Sequence, residues 1–207
     1  MPSPSLHASI LRLVIASAAL LTLGACALFG IEDNFSFKLP IEHTQKIPLP
    51  QIDLPSEGAG ERAPQDITLP FSIPAIPVDL ASASPDLKSN RDKLQRLELT
   101  ALSVDAKSNT LSSALPSLDL YVGPLSGATV SNSVKIATIP PIDGAFVGKK
   151  AVPIDAAAMD EAQPYLTSLE FSFLIGPLVV MQGQTIPGGS ALLELELTLR
   201  AEVDPTK

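Results

Sequence analysis

The chain has 207 residues, 45% hydrophobic and 17% charged, with 20 prolines, 12 glycines, one cysteine, two histidines, no tryptophan and a formal net charge of -8. One cysteine excludes an intramolecular disulfide, a negative chain is a poor ligand for nucleic acid, and two histidines leave little material for imidazole chemistry. The length suits one or two domains.

From Leu13 to Ile31 no residue is charged, Arg12 precedes this run, and Leu13 to Leu23 is almost wholly apolar. A basic n-region, an apolar h-region and a small-residue cleavage site make a secretory signal, and here Gly24 and Ala25 stand directly before Cys26. The stretch Leu23-Gly24-Ala25-Cys26 resembles the lipobox of bacterial lipoproteins. That resemblance implies removal of residues 1–25 as a signal peptide and a diacylglyceryl group on the Cys26 sulfur. Acyl chains such as palmitate then hold the protein to the membrane. By the same resemblance Ala27, where a retained inner-membrane protein carries aspartate, directs the chain to the outer membrane. Competing readings are a transmembrane anchor, for which the run is barely long enough, and an ordinary cleaved signal. The n-region is thin, with one arginine. A mature chain without residues 1–25 carries 13 Lys+Arg against 22 Asp+Glu, a net of -9, so an anionic headgroup surface repels it except at its lipid.

Residues 26–45 read as lipid anchor and tether, and 46–207 as a single domain. Nine prolines fall between Pro40 and Pro85, interleaved with aliphatics as in Ile47-Pro48-Leu49-Pro50 and Ile73-Pro74-Ala75-Ile76-Pro77-Val78. Proline fixes φ and lacks a donor. The aliphatic content therefore makes 46–80 extended edge segments against a core, with a disordered spacer as the alternative.

From Leu94 the apolar period is two. Leu97 and Leu99 face one way and Leu102 and Val104 continue out of step, which predicts a bulge near Thr100-Ala101. Leu118, Leu120 and Val122 predict a strand ending at Gly123-Pro124. Val134 and Ile136 predict another, Val152 and Ile154 a short one, and Leu169 to Ile175 one ending at Gly176-Pro177. Leu193 to Val203 gives the cleanest alternation, with Glu194, Glu196 and Glu202 on the opposite face. Ser84 and Asp155 are candidate caps for two short helices, through Leu94 and through Ala162. Gly188-Gly189 reads as a hairpin turn before the last strand. Short strands with Gly/Pro turns predict an all-β fold, an antiparallel β-sandwich of immunoglobulin-like appearance.

No arrangement for nucleophilic catalysis, zinc or phosphate binding is legible, so neither a cofactor nor a metal is expected. Asp155, Asp160 and Glu161 are the candidates for a calcium site or a glycosidase pair; as structural residues they are a helix cap and a solvated face. Tyr121 and Tyr165 are candidate contact aromatics. The expectation is a non-enzymatic cell-envelope lipoprotein acting as a structural or protein-interaction module, its partners the membrane and an envelope protein. The alternatives are a binding protein for lipid or another apolar ligand, suggested by Phe173-Leu174-Ile175 and Leu178-Val179-Val180-Met181, and an envelope hydrolase with a carboxylate pair.

Overall fold

Alternation of apolar and polar residues builds eleven strands among the described residues of a computed structural model, which describes residues 39–70 and 73–204. In chain order they are β1 (Leu39–Pro48), β2 (Ile52–Leu54), β3 (Ile67–Thr68), β4 (Ile76–Asp79), β5 (Leu94–Asn109), β6 (Leu118–Pro124), β7 (Val134–Ile139), β8 (Gly148–Ala151), β9 (Glu170–Ile175), β10 (Val179–Val180) and β11 (Gly189–Val203). Helices α1 (Leu80–Ala83) and α2 (Pro85–Ser89) join β4 to β5, and α3 (Ala156–Glu161) and α4 (Gln163–Leu166) join β8 to β9.

One sheet runs β1-β11-β5-β8, with β2 also on β11; the other runs β4-β9-β6-β7, and β3 and β10 form a separate ribbon. Every pairing is antiparallel. Setting aside β2 and the ribbon, the chain passes from the first sheet at β1 to the second at β4, back at β5, across to β6 and β7, back at β8, across to β9 and home at β11. The fold is an antiparallel β-sandwich, with the two antiparallel sheets that give an immunoglobulin-like look and a strand order that follows a jelly-roll path.

The inward residues of both sheets form one core. Leu193, Leu195, Leu197 and Leu199 of β11 are at most 1% exposed, and Leu118, Leu120 and Val122 of β6 match them from the other sheet. Phe171 and Phe173 of β9 are buried edge to face, ring centroids 5.4 Å apart, a geometry favoured by the ring quadrupoles. Thr100 is the extra residue of the bulge, skipped between the pairs Leu199↔Leu99 and Thr198↔Ala101; its hydroxyl donates to the Thr198 carbonyl at 3.1 Å.

Several boundaries differ from expectation. The first strand begins at Leu39, inside the stretch read as tether, because Ile41, His43, Gln45 and Ile47 alternate with exposed Glu42, Thr44 and Lys46. The Pro-rich region forms short strands, and Leu49, Ile52, Leu54, Leu69, Ile73 and Val78 are buried. Ser84 caps a helix that stops at Ser89, and a 3-10 turn at Arg91–Lys93 completes the passage to β5. Strand β8 ends at Ala151; beyond Pro153, Ile154 makes only an isolated bridge to Ala137, since proline cannot donate to a ladder.

Candidate interaction surfaces

Leu23, Gly24, Ala25 and Cys26 lie outside the described residues. His43 is on β1, half-buried, its Nε2 3.2 Å from the Gln45 side-chain oxygen.

The carboxylates are distributed rather than convergent. Asp155 caps α3, accepting from the Ala157 and Ala158 amides at 3.0 and 3.2 Å. Asp160 pairs with Arg96, which also holds Glu98 at 2.7 Å, and both carboxylates raise the guanidinium pKa, Asp160 more. Glu161 is exposed. Glu194 takes Lys107 at 3.0 Å, and Lys107 is pushed up by Asp105 first and Glu194 second. Glu196 takes Lys149 at 2.8 Å and Lys46 at 3.6 Å, and the Lys149 ammonium holds its carboxyl below the ordinary value. Among the described residues no three His, Cys, Asp or Glu side chains come together as a metal group. The outer face of the first sheet is a ladder of ion pairs between exposed lysines and half-buried carboxylates, surface contacts of a kind that adds little to stability.

Among the described residues two open clefts stand out. One, about 510 Å³, lies between the β10 side and the segment before β6, lined by Arg62, Ser113, Leu115, Asp119, Val179 and Met181 among others. The other, about 640 Å³, opens beside β5, with Leu99, Ala101, Leu102, Val152, Ile154 and Met159 in its lining and Arg96 and Glu98 also in it. This second cleft exists because β8 pairs with β5 only over Ser103–Ala106. Farther along the same edge, the Gln163 side chain takes over the role of a strand: its amide donates to the Leu97 carbonyl at 2.9 Å and its oxygen accepts the Leu97 amide at 3.1 Å. The lining offers apolar contact with hydrogen-bonding groups beside it and contains no histidine to activate its one hydroxyl, Thr100.

The apolar runs are largely spent on folding: Phe173, Leu174, Ile175, Leu178 and Val180 are buried, and Met181 is exposed at the first cleft. Tyr165 donates its hydroxyl to the Asn132 carbonyl at 3.0 Å. Tyr121 is half-buried, with its ring 3.2 Å from where a Cβ on Gly176 would stand.

A surface that sequence reasoning missed is the free edge of β1. Its signal was there: Pro40 and Pro48 share the parity of Glu42, Thr44 and Lys46. Reading residues 26–45 as tether, with extended edge segments only from 46 onward, concealed it.

No protein-family model matches the sequence, and no curated protein matches it. Solved structures similar to this chain include chains from Desmodium yellow mottle tymovirus (12% identity, TM-score 0.35, covering 83% of this chain and 91% of that one) and Turnip yellow mosaic virus (9%, 0.33, 84% and 88%). A chain from Mud crab tombus-like virus is similar at 9% identity and TM-score 0.35, covering 84% and 86%.

Proposed function

We propose that this protein is a membrane-anchored lipoprotein of the cell envelope, acylated on Cys26, whose jelly-roll sandwich is a non-enzymatic structural or protein-interaction module. The observation that carries the reading is Leu23-Gly24-Ala25-Cys26 closing an apolar run that follows Arg12. Several acyl chains, each CH₂ adding about 0.8 kcal/mol on burial, anchor a protein durably. An acidic body is repelled by anionic headgroups except at its lipid. The two clefts and the paired carboxylates fit contact rather than chemistry.

Membrane fractionation of the wild type and of Cys26→Ser tests the anchor. The wild type pellets with membranes and resists high salt, whereas Cys26→Ser loses its lipid-dependent partition into detergent. A Cys26→Ser protein that partitions like the wild type contradicts the proposal and favours a transmembrane anchor.

A further inference from the structure

We propose that two copies of this chain associate through β1, pairing antiparallel about a two-fold axis at Thr44 so that Glu42 of each faces Lys46 of the other. The argument begins with backbone parity. Strand β1 runs beside β11 without a register shift from Leu39↔Val203 to Pro48↔Glu194, and just beyond it the Leu49 amide donates to the Leu193 carbonyl at 2.9 Å. Residues opposite one another in an antiparallel ladder alternate between bonded and non-bonded pairs. Odd-numbered residues of β1 therefore bond to β11, and the backbone groups of Pro40, Glu42, Thr44, Lys46 and Pro48 point to the open side. Among the described residues no strand occupies that side.

The other three ends of the two main sheets are protected in recognised ways. Strand β4 is four residues long and contains Pro77; β8 is four residues long and carries Lys149 and Lys150. Strand β7 is blocked by the Ala137↔Ile154 bridge and by the Asp155 amide, which donates to the Ile136 carbonyl. On β1 the prolines stand at the two ends of the outward set, where they limit a ladder rather than prevent one. Between them Glu42, Thr44 and Lys46 keep their outward amides, and their side chains are exposed.

Charge selects the partner and the register. With Thr44 opposite Thr44 of the second copy, Glu42 meets Lys46 twice and each proline meets the other proline. Centring on Glu42 or Lys46 instead puts like charges face to face, and a shift of two residues sets a proline against a charged residue, forfeiting donors. The self-complementary order acid, neutral, base is what an isologous two-fold contact requires, and strand addition is an established way of using a free edge. The pairing does not depend on the anchor, so its failure leaves the lipoprotein reading standing.

The test is sedimentation of the full chain in density-matched detergent across a concentration series. The expected result is a monomer–dimer equilibrium. Thr44→Pro, which removes an outward donor and no backbone bond to β11, losing only the long 3.5 Å hydroxyl contact with Thr198 on that side, abolishes the dimer while thermal unfolding stays close to wild type. Glu42→Lys weakens the dimer about tenfold by making two like-charge pairs, and Glu42→Lys with Lys46→Glu restores it. A chain monomeric throughout, or a dimer indifferent to both single substitutions, overturns the proposal.

Discussion

At the scale of single residues, the carboxylates act as caps and ion-pair partners, and this sets an acid limit on stability. Asp79 caps α1, accepting from the Ser82 hydroxyl at 2.6 Å and the Ser82 amide at 2.8 Å, and these bonds hold its pKa below the ordinary value. Glu196 is lowered by Lys149. A carboxyl depressed in the folded state stabilises fully above its unfolded pKa and loses that contribution as pH falls through the folded one. Lys107 and Lys135 are raised, so their contribution is present at neutral pH and lost only in strong alkali. The urea midpoint is therefore expected to be flat from about pH 5 to pH 9 and to fall below about pH 4. Asp79→Asn should flatten part of the acid limb alone; an acid limb identical to wild type contradicts the role given to Asp79. Of these caps, Ser84 and Asp155 were legible because each precedes a helical turn with proline or alanines. Asp79 was not, since a four-residue helix has no apolar period to announce it.

At the scale of elements, alternation was the readable signal. The bulge at Thr100 and the long β11 follow from residues adjacent in sequence, with Leu193, Leu195, Leu197 and Leu199 buried in turn. Elements defined by distant partners were not readable. Nothing near Gln163 shows that its amide closes the β5 edge at Leu97, 66 residues away. Replacing it by alanine leaves two backbone groups at a fully buried leucine without partners, at about 1–3 kcal/mol. With about 2–4 °C per kcal/mol for a domain of this size, calorimetry should record a clear drop in Tm. An unchanged Tm means that solvent or another group satisfies Leu97 equally well. The same dependence on distant partners explains β1: beside β11 its polar alternation makes a half-wet edge strand, and alone it reads as tether.

At the scale of the whole molecule, the sandwich was legible from strand count, turns and scarcity of helix, whereas the jelly-roll order was not. That order rests on contacts such as Thr44 beside Thr198, 154 residues apart. The candidate contact surfaces, a cleft left by a short β8 and the open edge of β1, are likewise products of topology. The proposed address is the reverse case, resting on four adjacent residues and needing no fold. Intact-mass and N-terminal peptide analysis of protein purified from membranes tests it most directly. The expected N-terminus is Cys26 bearing a diacylglyceryl group, with the mass of residues 1–25 gone. A chain that still carries residues 1–25, or one cleaved elsewhere with an unmodified Cys26, contradicts a lipid-anchored protein.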